Sequence, residues 1–181
     1  MKDETIKQYE EIVGQCKEIF KKKTKDYGTA WRVLRLPSLT DQILIKAQRI
    51  RSIQEKGNQK IAENIDSEFY GIINYCLISL VQMQLTDKDS NELAYDFVGP
   101  MYDDSAQRTL ELLSNKNHDY GEAWRDMRVS SMTDIILMKL FRVKQIEDND
   151  GKTIISEGVD ANYQDIINYS VFCLIKIKEA K

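Results

Sequence analysis

The sequence contains the same polar pattern twice, and this duplication constrains the fold more than any other feature. From Lys23 to Arg49, 15 of 27 positions are identical to the residues found 93 positions later in the chain. Most of the identical residues are charged, aromatic or glycine, whereas apolar pairs such as Ile45 and Met138 differ. Because core positions exchange apolar side chains at low cost, a repeated scaffold would preserve only its apolar pattern. We therefore interpret the repeated polar residues as a repeated site.

The helical periodicity of the apolar residues predicts an all-α protein built from two tandem three-helix repeats. A repeat of roughly 90 residues would bury only a modest core alone, so we expect the repeats to pack as a bundle about a pseudo-two-fold axis. The expected division is repeat 1 at 1–85, a linker at 86–99 and repeat 2 at 100–181. Pro100 is expected in the first turn of the fourth helix. The six predicted helices cover about 3–25, 38–56, 66–84, 101–117, 131–147 and 161–178.

Composition and charge restrict the class of partner. The chain is 42% apolar and its net charge is −3, which is typical of a globular protein and disfavours direct binding to nucleic acid. No apolar run reaches the 18 or so residues of a membrane span, and the N-terminus lacks a signal-peptide core. The three cysteines do not match between the repeats, so we interpret them as reduced core residues. We expect a cytoplasmic monomer or homodimer with a small-molecule ligand and no membrane contact.

A lysine lies inside the apolar stripe of the second helix of each repeat. Helical periodicity places Lys46 and Lys139 between apolar neighbours, with Arg49 and Arg142 three residues further along. An ammonium group in that position must reach water, pair with a carboxylate or meet an anionic ligand, because an unpaired buried charge is costly. An internal salt bridge to the third helix and a contact with a ligand phosphate are both compatible with this pattern.

Acidic residues near the start of the third helix are candidate ligands for Mg²⁺, which prefers oxygen donors. Helix capping is the alternative role, above all for Asp160. Gly71 stands in the first repeat at the position of Asp165, so that repeat lacks one carboxylate. Either the first site is degenerate or the two repeats share composite sites, and the acids of a single working site are expected in the second repeat. The candidate metal ligands are Glu63, Asp66, Glu157, Asp160 and Asp165.

The loop after the first helix of each repeat carries aromatic and basic residues. Its tyrosine and tryptophan could stack on a base or fill the core, and its arginines could bind phosphates or pair with the nearby aspartate. The candidate ligand-binding residues of the first repeat are Lys23, Asp26, Tyr27, Arg32, Arg35, Lys46 and Arg49. Those of the second repeat are Lys116, Asp119, Tyr120, Trp124, Arg125, Arg128, Arg142 and Asn168.

These residues resemble a family of small helical domains called nucleotide modification associated domain 1. Its pattern has a Lys-Asn-x-Asp-Tyr-Gly segment, matched here by 116–121, and then a lysine and an arginine on a helix, matched by Lys139 and Arg142. It closes with an acidic stretch that leads into Asp-x-x-Asn-Tyr, matched by Glu157 and by 165–169. The first repeat matches the same elements but differs at Gly71.

That family is similar in turn to the MazG-like all-α nucleotide pyrophosphatases, in which helical acids hold Mg²⁺ around a nucleoside triphosphate. Their EExxE motif is absent from this chain. The resemblance implies nucleotide binding, and it suggests hydrolysis to a monophosphate and pyrophosphate with Glu157, Asp165 and Lys139 as catalytic residues. In that mechanism a metal-activated water attacks while Lys139, Arg142 and Arg125 neutralise the phosphates. A non-catalytic nucleotide-binding module and a purely structural module with internal salt bridges are the alternatives.

Overall fold

A computed structural model of the chain describes residues 3–57 and 65–181, without the side chains of residues 3 and 117–120. The described residues form six α-helices and no strand, which confirms the predicted all-α fold of two three-helix repeats. A one-turn 3₁₀ helix follows the first helix of each repeat, at Ala30–Val33 and at Ala123–Asp126. The α-helices are α1 (Asp3–Tyr27), α2 (Leu36–Lys56), α3 (Ile65–Gln82), α4 (Tyr95–Tyr120), α5 (Val129–Asp148) and α6 (Val159–Glu179).

The second helix of each repeat begins two residues earlier than predicted. The cap position of α2 belongs to Arg35, and no side-chain hydrogen bond caps the helix there. Pro37 lies in the first turn of α2, where its fixed φ suits a helix and its missing N–H is not needed. At the other end, Gly57 adopts a left-handed φ of 63° and donates its N–H to the carbonyl of Ile53 at 3.0 Å, as the sequence predicted.

The fourth helix also begins before its predicted start. Residues 86–99 were expected to form a linker, yet α4 runs continuously from Tyr95 and contains Pro100 in its interior. Proline has no N–H, so the carbonyl of Asp96 loses its usual helical donor at this turn. Packing compensates for that loss, since Val98 is completely buried and the ring of Tyr95 lies 6.2 Å from that of Phe20.

The helices of both repeats share one hydrophobic core. The central helices α3 and α6 pack against each other, and α2 and α5 cover them while also packing against each other. The remaining helices, α1 and α4, each contact both central helices, so each repeat contributes a helix to the packing of the other. None of the described helices combines the length and the apolar character that a membrane span requires.

Buried hydrogen bonds cross between the repeats in equivalent pairs. The hydroxyl of Tyr9 donates to Oδ1 of Asn168, and the hydroxyl of Tyr102 donates to Oδ1 of Asn74, both at 2.8 Å. Each tyrosine belongs to the opposite repeat from its asparagine, and all four residues are buried. Reciprocal contacts between equivalent positions are the signature of a two-fold axis.

The contact between α2 and α5 contains a second reciprocal pair. Lys144 donates to Asp41 at 2.5 Å, and the equivalent residues Arg51 and Asp134 lie 3.7 Å apart. All four side chains are at least one-third exposed. The repeated aspartate of these helices therefore takes part in ion pairs between the repeats.

Candidate functional site

In the second repeat, the carboxylate of Asp165 lies between two lysines. Its Oδ1 accepts a hydrogen bond from Lys116 at 2.9 Å, and its Oδ2 accepts one from Lys139 at 2.6 Å. The side chains of Lys139 and Asp165 are only 12% and 13% exposed. Burial lowers the pKa of the Lys116 ammonium, but the hydrogen bond and charge of Asp165, with the charge of Glu157, raise the pKa by more. The sequence was compatible with either an internal salt bridge or a ligand phosphate at Lys139, and the structure shows the salt bridge.

The acids of the second repeat are not gathered around one point. Glu157 and Asp160 are exposed near the start of α6, whereas Asp165 is mostly buried and already holds two ammonium groups. Across residues 3–57 and 65–181, no group of three or more His, Cys, Asp or Glu side chains could hold a metal ion. The predicted Mg²⁺ site is thus not preassembled in this part of the chain.

Three of the predicted site residues lie outside what the structure describes: Glu63, and the side chains of Asp119 and Tyr120. The other first-repeat candidate for metal binding, Asp66, is largely buried and forms an ion pair with Lys181 at 2.6 Å. This contact joins the third helix of the first repeat to the end of the chain.

The first repeat has a carboxylate that sequence analysis missed. Glu68, with a side chain 9% exposed, contacts Arg49 at 2.8 Å and Lys46 at 3.5 Å. Asn162 stands at its position in the second repeat, so a search for repeated acids passes over it. Its position one turn before Gly71, on the same face of α3, is the signal that could have found it.

A cavity of about 590 Å³ opens beside Lys46. Its wall combines aromatic rings from Tyr27, Trp31 and Tyr75 with two basic residues, Lys23 and Lys46. Every residue of its lining comes from the first repeat, between positions 19 and 78. The polar cluster of the second repeat lies entirely between positions 116 and 165, so the two repeated polar sets occupy separate places.

Gly71 leaves room for the side chain of Lys46. A Cβ atom at Gly71 would lie 3.0 Å from both Cδ and Cε of Lys46 and 3.3 Å from its Nζ. The lysine side chain therefore runs directly across the glycine, at the edge of the cavity. Asp165 occupies the equivalent position in the second repeat, where its carboxylate binds both lysines.

The two loop tryptophans are both buried, as expected for residues that fill the core, but their surroundings differ. Trp124 stacks on Phe172 with 4.2 Å between ring centroids and an angle of 3°, and the guanidinium of Arg125 lies 4.4 Å from its ring. Trp31 lines the cavity instead, and Ile78 stands at the position of Phe172. The second repeat thus covers its tryptophan with its own aromatic side chain.

The loop arginines are engaged within the protein. Arg32 donates to Oε1 of Gln82 at 2.5 Å and to backbone carbonyls of the segment that joins the repeats. Arg125 donates to the side chains of Glu122, Glu179 and Thr5 at 2.8–3.0 Å. These bonds engage both guanidinium groups within the protein, and the phosphate contacts that the sequence suggested stay a prediction.

The remaining candidates divide into exposed residues and one buried residue. Asp26, Arg35, Arg128 and Arg142 are exposed, and the lining of the cavity includes none of them. Asn168 is 3% exposed, and its side-chain oxygen is taken by the hydroxyl from the other repeat. Of the predicted ligand-binding residues, the structure therefore brings Lys23, Tyr27 and Lys46 together at the cavity.

The fold and the polar clusters define a class of protein: an all-α protein in which two three-helix repeats share one core. The chain belongs to the nucleotide modification associated domain 1 family, whose sequence profile matches residues 23–83 and 116–177. The two matched segments fall one in each repeat, which confirms the predicted tandem copies. No curated protein and no solved structure matches the chain. These comparisons give no similarity to the MazG-like pyrophosphatases.

Proposed function

We propose that the protein binds a phosphorylated nucleotide in the cavity of the first repeat. The observation that carries this proposal is a cavity whose wall contains both aromatic rings and two lysines. Its volume of about 590 Å³ falls in the usual range of small-molecule sites, roughly 300–1,000 Å³. Tyr27 and Tyr75 offer flat surfaces to a base, and Lys23 and Lys46 offer positive charge to phosphate. The family's association with nucleotide modification supports the same ligand class.

The local charges leave positive charge at the cavity. Glu68 is shared between Arg49 and Lys46, and it lies closer to Arg49, at 2.8 Å against 3.5 Å. Lys23 is exposed, and it has no ion-pair partner among the residues that the structure describes. An incoming phosphate would therefore meet Lys23 and Lys46, and the Glu68 carboxylate beside Lys46 is held mainly by the arginine.

Binding without turnover fits this geometry better than hydrolysis does. Both oxygens of Asp165 accept hydrogen bonds from lysines, so this carboxylate would have to exchange ammonium groups for a metal ion before it could act in catalysis. Mg²⁺-dependent pyrophosphohydrolysis, with Glu157 and Asp160 as further metal ligands, is the catalytic extension of the proposal.

The three buried free thiols, Cys16, Cys76 and Cys173, suit a protein of the reducing cytoplasm.

Calorimetry and thermal unfolding with a panel of ribo- and deoxyribonucleotides test the proposal, since a ligand that binds only the native state raises Tm. We expect Lys46→Met to weaken nucleotide binding by at least about tenfold, because it removes a cation from the cavity. Lys139→Met is the matched control at the equivalent position, and it should lower stability while leaving nucleotide affinity unchanged. Equal losses of affinity in both variants, or no nucleotide effect on the wild-type Tm, would contradict the proposal.

Release of pyrophosphate, measured with each triphosphate in the presence of Mg²⁺, separates binding from hydrolysis. A binding module gives stabilisation without release. Turnover that Asp165→Ala abolishes would establish the catalytic extension, whereas turnover that survives this substitution would exclude the predicted role of Asp165.

A further inference from the structure

The two repeats carry the same pair of lysines, but only in the second repeat does one carboxylate bind both of them. Lys116 and Lys139 share Asp165, whereas their equivalents Lys23 and Lys46 face a cavity at Gly71. We infer that the first repeat contains an anion site between its two lysines, at the place where the second repeat holds its own carboxylate. This inference rests on the proposed function and deepens it, since it assigns the charged group of the ligand to one part of the cavity.

The contacts around Gly71 give the position of this anion site. Nζ of Lys46 lies 3.3 Å from the point that a Cβ at Gly71 would occupy, so the lysine fills the space beside the glycine and its ammonium lies at the edge of the cavity. In the second repeat the carboxylate oxygens in the equivalent space lie 2.9 Å and 2.6 Å from the lysine nitrogens. Two ammonium groups that face one space repel each other, and an anion between them turns that repulsion into attraction.

The second repeat also indicates what else the ligand carries. Seven residues after Asp165, Phe172 stacks on Trp124, and this spacing corresponds to about 10 Å along a helix axis. At the equivalent positions the first repeat has Gly71 and Ile78, so it lacks a carboxylate and a ring at these two positions. A ligand with one anionic group and a planar ring about 10 Å away would supply both. A nucleoside monophosphate has this chemistry, and its single phosphate matches two lysines better than a triphosphate does.

Inorganic phosphate is the simplest probe of the anion site. Thermal unfolding is measured as phosphate replaces chloride at constant ionic strength, so that general screening stays equal. We expect phosphate to raise the Tm of the wild type, and Gly71→Asp to weaken this effect by at least about tenfold because its own carboxylate fills the site. Gly71→Asp should also unfold at a higher temperature than Gly71→Asn, which fills the same space without charge. An unchanged phosphate effect in Gly71→Asp would overturn the inference.

The reverse substitution tests the same idea in the second repeat. Asp165→Gly should free Lys116 and Lys139 for an external anion, so acetate or phosphate should stabilise this variant more than it stabilises the wild type. Equal shifts for the two proteins would count against the inference. If Asp165→Gly does not fold, the comparison of Gly71→Asp with Gly71→Asn decides the question.

Nucleotides distinguish a failure of this inference from a failure of the proposed function. If phosphate binds at Gly71 but a nucleoside monophosphate binds no more tightly, the anion site stands and nucleotide binding fails. If a nucleotide binds the wild type and Gly71→Asp equally well, nucleotide binding stands and the anion site fails. If Gly71→Asp abolishes binding of both probes, both are supported.

Discussion

Gly71 shows how one residue trades helix stability for space. It lies in the interior of α3, where glycine is less favourable than alanine by roughly 0.5–1 kcal/mol. Its missing side chain leaves the path of Lys46 open at the cavity edge. Gly14 of α1 is a useful comparison, since it is exposed and a Cβ there would meet nothing within 4 Å.

We predict that Gly71→Ala and Gly14→Ala differ in their effect on binding. Gly14→Ala should raise Tm by about 2–4 °C, the shift that roughly 1 kcal/mol produces in a chain of this size, and leave nucleotide affinity unchanged. Gly71→Ala should gain less, because the new Cβ displaces the end of Lys46, and it should bind nucleotide more weakly. Calorimetric melting and titration of both variants measure these effects. Wild-type affinity in Gly71→Ala would contradict the role given to this glycine.

The sequence predicted which lysines need partners but not which partners they have. The apolar stripe identified Lys46 and Lys139 because a helical wheel gives the direction of a side chain on its own helix. Their carboxylates come from neighbouring helices and from different positions, Glu68 in one repeat and Asp165 in the other. That choice depends on how two helices are placed against each other, and no pattern within one helix contains it.

At the scale of elements, the contact between α2 and α5 contains a reciprocal pair of hydrogen bonds in addition to its ion pairs. Thr40 donates to Glu147 at 2.7 Å, and Gln54 donates to Thr133 at 3.1 Å. Glu147 and Gln54 occupy equivalent positions, so the same contact contains an acid in one repeat and an amide in the other. Burial raises the pKa of Glu147, although hydrogen bonds from Thr40 and Tyr163 lower it in part.

We predict that Glu147→Gln stabilises the protein at neutral pH. The glutamine oxygen can still accept from Thr40, and the variant no longer buries a charge. A raised pKa means that the folded state holds the proton more tightly than the unfolded chain, so wild-type stability gains as the pH falls through the folded pKa. The advantage of Glu147→Gln should therefore be largest above that pKa and should shrink as the pH falls below it. Urea unfolding between pH 4 and pH 8 measures the difference, and an advantage that grows on acidification would contradict the prediction.

Apolar periodicity predicted where the helices lie, but it placed the starts of α2 and α4 too late. Pro37 and Pro100 are both close to helix starts, and only Pro37 lies in a first turn. The early start of α4 depends on tertiary packing of Val98 and Tyr95, which outweighs the hydrogen bond that Pro100 removes. A local sequence pattern shows that proline prefers the first turn of a helix. Whether a helix continues through a proline depends on how the surrounding residues pack in the core.

At the scale of the whole molecule, each repeat depends on the other for a buried hydrogen bond. The oxygens of Asn74 and Asn168 are satisfied by tyrosines that belong to the opposite repeat. A buried acceptor that loses its donor costs about 1–3 kcal/mol. The two repeats should therefore fold and unfold together as one cooperative unit.

We predict a single unfolding transition for both repeats. Trp31 and Trp124 lie one in each repeat, so Trp31→Phe and Trp124→Phe leave a fluorescent reporter in the second and in the first repeat, respectively. In each variant, the fluorescence and circular dichroism midpoints should coincide. Tyr9→Phe or Tyr102→Phe should lower stability by about 1–3 kcal/mol as seen by either reporter. A substitution that shifts the transition of only one repeat would show that the repeats unfold independently.

The duplication predicted the architecture of the molecule, but it did not predict which repeat has the cavity. The missing carboxylate at Gly71 suggested either a degenerate first repeat or composite sites shared by the two repeats. The structure has a cavity in the first repeat and an internal ion cluster around Asp165 in the second. A sequence records that a carboxylate is absent. Whether the lysines near that position are buried in an ion pair or line a cavity depends on the packing of three helices.

The difference between Gly71 and Asp165 has a consequence for how such a protein can diverge. In a homodimer of one repeat, a single codon would determine both positions, so both would carry glycine or both would carry aspartate. Joining the repeats in one chain removes that restriction, because each half then changes separately. One half can keep a carboxylate that neutralises its lysines, while the other keeps a glycine at the edge of its cavity. Fusion thus lets a symmetric scaffold contain an asymmetric pair of sites without assembling two different proteins.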